Sequence, residues 1–142
     1  MFSHLPIALT LMALCVTIHA AGVTWALQRL RSVPRVALRF WTSTRLFVIV
    51  STWIVLLHLA EISLWAGFYV WRNAMPDLAS ALYFSAVTYT TTGYGDLVLL
   101  AGWRLVGAVE ALTGILMCGW STGFFFAIVN RLYQDVPEIR RP

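Results

Sequence analysis

The sequence contains no lysine and few charged residues of either sign. Charged residues make up 11% of the 142 residues, whereas hydrophobic residues make up 60%. A soluble domain usually carries about 25% charged residues. The chain therefore lacks the polar surface that a water-soluble globule of its size needs, and a membrane is the expected solvent.

Cysteine is also scarce. Cys15 and Cys118 both lie inside apolar runs, away from any CxxC motif or any histidine and cysteine spacing typical of a metal site. This pattern argues against a disulfide framework and against a zinc site. We expect no cofactor and assign both cysteines to packing or to contact with lipid.

Three apolar runs are long enough to cross a membrane as helices. They extend over residues 5–27, 46–71 and 103–132, and a helix of about 20 residues spans the hydrocarbon core. No arginine or lysine precedes the first run, which is also too long for a signal peptide. We therefore predict an all-α membrane protein with three transmembrane helices.

All ten basic residues are arginine, and their distribution predicts the topology. Five of them lie in residues 28–45 and three follow residue 130. Cytoplasmic loops carry such an excess, so we expect both segments in the cytoplasm and the N-terminus outside, most simply in a plasma or inner membrane. Because the arginines flank apolar runs, this interpretation is preferred to nucleic-acid binding.

Residues 28–45 have the pattern of an amphipathic segment at the membrane surface. Arg31, Arg35 and Arg39 are spaced by four and share one helical face. We predict contacts with anionic lipid there. A voltage sensor would need arginine at every third position of an apolar helix, which the segment lacks.

The stretch between the second and third runs is too polar to span, but it carries helix signals. Pro76 suits a first helical turn and Asp77 suits the positive end of a helix dipole. We expect a short helix over residues 77–90, followed by a glycine-rich loop. Irregular backbone is tolerated at membrane depth only where protein buries it or it lines a water-filled path. A re-entrant pore lined by several copies of the chain is therefore expected.

Residues 88–96, with the sequence TYTTTGYGD, resemble the filter signature of the potassium channel pore family. Residues 81–85 resemble the pore helix of that family and residues 103–106 the start of its inner helix. The resemblance covers about residues 46–133. It implies a homotetramer around a central pore and a pore module over residues 46–133. With the apolar runs and the arginine pattern, the chain then divides into an N-terminal transmembrane helix, a basic segment, this module and a short cytoplasmic tail, over residues 1–27, 28–45, 46–133 and 134–142.

The resemblance also implies the roles of individual residues. Potassium would pass as the permeating ligand through a filter whose backbone carbonyls replace its hydration shell; the filter residues are Thr91, Thr92, Gly93, Tyr94 and Gly95. Both glycines would adopt conformations that are costly for other residues. Asp96 would bond to the hydroxyl of Tyr83 on the pore helix. Thr92 departs from the usual Val or Ile, and its side chain is expected to point behind the filter.

Several polar or small residues within the spanning runs have two interpretations each. Gly114 is either a gating hinge or a site of close helix packing. Glu110 is more readily explained as a hydrogen-bonded acid against the pore helix than as a pH-sensitive group. For His58 and Glu61, spaced three apart, a local structural pair is favoured over a proton sensor.

Four functions remain open from the sequence. A potassium-selective channel is preferred, with a nonselective monovalent cation channel as the alternative and a non-conducting regulatory subunit as a third possibility. Residues 119–123 also match GxSxG, the serine hydrolase pattern, which needs a strand–turn–helix elbow and a partnered histidine and acid. His4, His19 and His58 all lie on other segments, so an intramembrane hydrolase is the remote alternative and we expect no enzyme.

Overall fold

The computed structural model describes residues 4–31 and 40–133. Within these ranges the regular structure is helical: α1 is Leu5–Arg31, α2 is Phe40–Trp71, α3 is Leu78–Tyr89 and α4 is Arg104–Tyr133, preceded by a 3₁₀ turn at Ala101–Trp103. Three stretches, Leu5–Leu30, Phe40–Trp71 and Ala101–Asn130, are long and apolar enough to span a membrane. The expected all-helical fold with three long apolar helices and one short helix is confirmed.

Two of the long helices extend into the basic segment predicted over residues 28–45. Helix α1 continues to Arg31 and α2 begins already at Phe40. Residues 40–45 contain neither proline nor glycine, so nothing in their sequence stops a helix there. Arg35 and Arg39 lie outside the described residues, as does the side chain of Arg31, and their lipid contacts stay a prediction.

Helix α3 begins one residue later than expected because Asp77 is its N-cap. The Asp77 carboxylate accepts a hydrogen bond from the backbone N–H of Ser80 at 2.8 Å and another from the Ser80 hydroxyl at 2.8 Å. Both bonds lower the pKa of Asp77, and the bond from the Ser80 backbone has the larger effect. A capping carboxylate satisfies a free N–H of the first turn. Because Asp77 is the N-cap, Pro76 lies before the helix. The prediction that Pro76 belongs to the first helical turn is therefore wrong.

The four helices pack with α3 between α2 and α4, while α1 contacts both long helices. Gly22 allows α1 to approach α2 closely, because a Cβ at this position would lie 2.4 Å from a methyl carbon of Leu57. The indole N–H of Trp53 on α2 donates to the Gly22 carbonyl at 3.1 Å. The first helix is therefore part of the packed body of the protein.

Aromatic contacts define the relative directions of the helices. His4 at the start of α1 stacks on Trp103 at the start of α4, with ring centroids 4.1 Å apart. Near the other end of α1, Trp25 contacts Trp53 on α2 at 4.6 Å. The contact between His4 and Trp103, together with the 3.1 Å approach of His19 on α1 to Ser121 on α4, shows that α1 runs alongside α4 in the same direction. The start of α1 therefore lies on the same side as the loop after α3.

Candidate functional site

The loop after α3 has an alternating backbone conformation. Thr91, Gly93 and Gly95 have φ values of 58°, 55° and 78°, whereas Thr92 and Tyr94 between them are not left-handed. When residues with positive and negative φ alternate along the chain, successive peptide units are oriented so that their carbonyls can all face the same side of the loop. The two glycines adopt this conformation at little cost, but a β-branched threonine at positive φ is a genuine outlier. Such strain, about 1–3 kcal/mol, persists only where the surroundings impose it.

Hydrogen bonds to the last turn of α3 hold the beginning of this loop. The N–H groups of Thr92 and Gly93 both donate to the Val87 carbonyl, at 2.9 and 3.2 Å. The hydroxyls of Thr90 and Thr92 lie 2.9 Å apart, and Thr90 donates to the Ala86 carbonyl at 2.7 Å. Thr92 is thereby tied through its side chain to α3, a link that the sequence reasoning missed although the run of threonines signals it.

The outer end of the loop is tied to the middle of α3. The Tyr83 hydroxyl donates to Asp96 Oδ2 at 2.7 Å, so the bond that the resemblance implied is present. This bond is the main reason that the pKa of Asp96 is lowered and that of Tyr83 is raised. Both ends of the loop therefore depend on α3 for their positions.

The loop lies on the surface of the single chain and follows the point where α3 touches α4 at Gly114. Residues 90–98 are all exposed, and the Tyr94 ring is 72% exposed. The exposed face of α4 continues away from the loop through residues at helical spacing, namely Leu112, Ile115, Leu116, Gly119, Gly123 and Phe126. A Cβ at Gly119 or Gly123 would meet no atom of the described residues within 4 Å. Within residues 4–31 and 40–133, neither this face nor the loop is covered.

Gly114 lies where α4 touches the end of α3. A Cβ at this position would come within 1.9 Å of the Tyr89 carbonyl oxygen. Only a glycine permits this approach, so the packing interpretation has direct structural support. The hinge interpretation stays a prediction, and an alanine here would alter packing as well as bending.

A closed ring of five hydrogen-bonded side chains lies beneath the loop. Glu61 accepts a hydrogen bond from the Tyr89 hydroxyl and is bonded to His19 Nδ1 at 2.8 Å. His58 Nδ1 lies 3.1 Å from the Tyr89 oxygen. Ser121 Oγ completes the ring at 3.1 Å from the Nε2 atoms of both histidines. We call this group the buried ring.

The buried ring corrects the expectation of a local pair between His58 and Glu61. These residues share a helical face but are bonded to Tyr89 rather than to each other. His19 and Glu61 are completely buried, while Tyr89 is 1% and Ser121 5% exposed. Each of the four helices contributes at least one member. The sequence shows each polar residue inside an apolar run, but it does not show that they meet.

Three members of the ring also have the chemistry of metal ligands. His19, His58 and Glu61 each offer one ligand atom, and these atoms lie within 4.8 Å of one another. Two imidazoles and a carboxylate suit a zinc-like ion, a combination that the sequence analysis did not anticipate. The same nitrogen and oxygen atoms already form the hydrogen bonds of the ring. The bond between His19 and Glu61 is 2.8 Å long, and the bonds from Ser121 to the two histidines are each 3.1 Å long. Those bonds account for the arrangement without an ion.

Glu110 is a second buried acid and lies apart from the ring. It is completely buried and accepts a hydrogen bond from the Tyr69 hydroxyl of α2 at 2.7 Å. Its carboxyl lies near Ser85 of α3, but neither Glu110 Oε1 nor Ser85 Oγ has a hydrogen-bond partner among the described residues. This is the environment expected of a hydrogen-bonded acid packed against the short helix.

Ser121, His19 and Glu61 are hydrogen-bonded in the same order as the serine, histidine and acid of a hydrolytic triad, but the surroundings of Ser121 differ from those of a hydrolase serine. Its Oγ is 3.1 Å from His19, which is 2.8 Å from Glu61. A hydrolase serine is exposed on a sharp turn between a strand and a helix, beside free N–H donors for the oxyanion. Ser121 is 5% exposed in the middle of α4, where backbone N–H groups are used by the helix itself. The arrangement provides neither access nor an oxyanion site.

A protein-family model described as ion channel matches residues 45–131, which is more than half of the chain and covers nearly all of α2 together with α3, the loop and most of α4. No curated protein and no solved structure matches the chain.

Proposed function

Since the chain belongs to the ion channel family, we propose that it is a subunit of a homotetrameric, potassium-selective channel. The protein is an integral membrane protein with three candidate spans, and it is not an enzyme. In this proposal potassium crosses the membrane passively through a central filter built from Thr91, Thr92, Gly93, Tyr94 and Gly95.

The alternating backbone of the loop is the observation that carries the proposal. Positive φ values at Thr91, Gly93 and Gly95 recur at every second residue. A dehydrated potassium ion needs oxygen ligands in place of water, and rings of backbone carbonyls supply them in potassium filters. The strained Thr91 supports a functional rather than an incidental loop, because strain of this kind is concentrated at functional sites.

The dipole of α3 supports a cation as the ligand. The helix ends at Tyr89, directly before the loop. The C-terminus of a helix carries about half a negative charge. In a tetramer, four such ends would converge near the axis and stabilise a cation below the filter.

Two exposed surfaces of the single chain, the loop after α3 and the apolar face of α4, support tetramer formation. The loop, in which the Tyr94 ring is 72% exposed, follows the point where α3 touches α4, and α4 carries an exposed apolar face. A single copy of two pore-flanking helices cannot enclose a water-filled path, whereas four copies around an axis can. The proposed orientation has the N-terminus and the loop outside and the C-terminus in the cytoplasm, following the arginine distribution.

The alternative is a nonselective monovalent cation channel, and Thr92 is the residue that keeps it open. The Thr92 hydroxyl bonds to that of Thr90, so the filter is anchored differently from one with Val or Ile at this position. The carbonyl ligands are the same in both cases.

The reversal potential of purified protein in planar bilayers decides between the two functions. With potassium on one side and sodium on the other, we expect reversal near the potassium equilibrium potential and its loss in Gly93→Ala, since alanine is strained at a φ of 55°. Gly102→Ala is the matched control, because that glycine has no positive φ and its Cβ would meet no described residue within 4 Å. A wild-type reversal near zero would replace the proposal with the nonselective function.

A further inference from the structure

The buried ring joins the first helix to the helix that precedes the filter. His19 lies on α1, outside the residues 45–131 that match the ion channel family. Through Glu61 it is connected to the hydroxyl of Tyr89, the last residue of α3. The first helix therefore reaches the base of the proposed filter through only one intervening side chain.

The number of hydrogens in the ring defines its overall charge. Five contacts need five hydrogens. Tyr89 and Ser121 supply one each from their hydroxyls, and each neutral imidazole supplies one more. A fifth hydrogen, shared between Glu61 and His19 Nδ1, satisfies every contact and leaves the whole ring without net charge.

An uncharged, fully satisfied ring is the form that a buried site favours. Unpaired charges and polar groups are costly in a low-dielectric interior, whereas satisfied networks are rigid. The direction of donation follows from Tyr89, which donates to Glu61 and so accepts from His58 Nδ1. His58 Nε2 then accepts from Ser121, and Ser121 accepts from His19 Nε2. Tyr89, His58 and Ser121 therefore each donate once and accept once, and the shared fifth hydrogen closes the ring between Glu61 and His19 Nδ1.

Two contacts hold Tyr89 in place, one through its side chain and one through its backbone. Its hydroxyl belongs to the ring, and its carbonyl oxygen lies against Gly114 of α4. Thr91, the first left-handed residue of the loop, is two positions further along the chain. A displacement of Tyr89 is therefore transmitted directly to the beginning of the filter.

We propose that His19 is a positioning residue for the ion filter, which it holds in place through Glu61 and Tyr89 within a closed, uncharged hydrogen-bond ring. The inference rests on the proposed potassium filter and extends it to α1. The first helix then contributes to selectivity rather than serving only as a membrane anchor.

The potassium-to-sodium permeability ratio of full-length variants in planar bilayers tests this role. His19→Leu and Tyr89→Phe each remove a hydrogen-bonding group and leave a buried partner unsatisfied, so we expect the ratio to fall about tenfold or more. His19→Asn should restore most of it, because an amide occupies the place of Nδ1 and can donate to or accept from Glu61.

Thr17→Val is the matched control on α1. The Thr17 side chain is exposed on the same helix, and its hydroxyl bonds to the Ala13 carbonyl within that helix. We expect its permeability ratio to equal that of the wild type. If His19→Leu fails to assemble, as judged by size-exclusion chromatography, the near-isosteric Tyr89→Phe decides.

Glu61→Gln separates the hydrogen-bond ring from a metal site. Glutamine can accept from Tyr89 and donate to His19, so the uncharged ring predicts a ratio within about threefold of the wild type. A metal site needs the carboxylate. About one zinc per purified chain, lost together with selectivity in Glu61→Gln, would overturn the proposal in favour of a metal.

The two proposals fail in different ways. A wild-type channel that does not select potassium overturns the proposed function itself. A selective wild type whose His19→Leu and Tyr89→Phe variants are equally selective keeps the filter and overturns the role of His19. Loss of selectivity in His19→Leu without recovery in His19→Asn also contradicts positioning through Glu61.

Discussion

At the scale of single residues, the loop after α3 is held by side chains at both of its ends. Thr92 and Thr90 connect the inner end to the last turn of α3, and Tyr83 binds Asp96 at the outer end. Both groups are exposed on one chain, so each bond by itself is weak in water. Their common effect is to limit the number of conformations that the strained loop can adopt.

The bond between Tyr83 and Asp96 makes a prediction about pH. Because this bond lowers the pKa of Asp96, Tyr83→Phe should return that pKa towards its ordinary value. The contribution of the bond is present at neutral pH and is lost as pH falls through the lowered pKa of Asp96. As external pH is lowered, single-channel conductance should therefore fall at a higher pH in Tyr83→Phe than in the wild type.

Asp96→Asn is the control for this measurement. Asparagine carries no charge at any pH, so the acid-dependent step in conductance should disappear. Superimposable conductance curves for Tyr83→Phe and the wild type would show that the bond does not influence the charge at the pore entrance.

At the scale of elements, α3 is the part on which the others depend. Its N-terminus is capped by Asp77 and its C-terminus contacts α4 at Gly114, while Tyr89 reaches the buried ring. The short helix therefore has a fixed position relative to all three long helices. The position of the loop is therefore set by that of α3.

Gly114→Ala tests the contact between α3 and α4. The added methyl group would lie 1.9 Å from the Tyr89 carbonyl oxygen, so one of the two backbones must move. Overpacking of this kind costs about 1–3 kcal/mol. We expect a lower midpoint of thermal unfolding in detergent, together with a reduced potassium-to-sodium permeability ratio.

Gly67→Ala is the matched control, because Gly67 also lies inside a long helix but its Cβ would meet none of the residues that the structure describes within 4 Å. That change should leave stability equal or slightly higher, since alanine favours a helix over glycine by about 1 kcal/mol. Equal midpoints for Gly114→Ala and the wild type would contradict the close contact. A lowered open probability with unchanged stability and selectivity would instead support a hinge.

At the scale of the whole molecule, the single chain has two unlike sides. One side of α4 faces α1, α2 and α3 through buried residues such as Val106, Glu110, Met117 and Ser121. The other side is exposed and adjoins the loop. Four copies arranged with these exposed sides inward would bring the loops together on one axis.

The proposed arrangement predicts a tetramer. Native mass spectrometry of the purified protein should give a mass near four chains of 16.0 kDa each. Gly119→Leu should reduce the proportion of tetramer, because small residues allow close contacts between helices in membranes. Gly67→Leu, with equal free space in the single chain, should leave it unchanged. A monomer, or equal tetramer in both variants, would contradict assembly through this face.

The sequence by itself determined the features that depend on local chemistry. The three apolar runs predict the three long helices because span length follows from the helical rise. Asp77 and the glycines marked the limits of α3 and the loop to within a residue, because capping and positive φ are properties of a few adjacent residues. The segment of residues 28–45 was less well delimited, since a helix enters it from each side.

Only the tertiary structure decided which distant side chains meet. The spacing of His58 and Glu61 suggested a pair, but both turn to Tyr89, and His19 and Ser121 join them from α1 and α4. The contact between Gly114 and Tyr89 is likewise invisible in the sequence. Periodicity identifies the face on which a residue lies, whereas the rotation and depth of one helix against another are set by the packing of all four. The base of the proposed filter therefore required the folded chain.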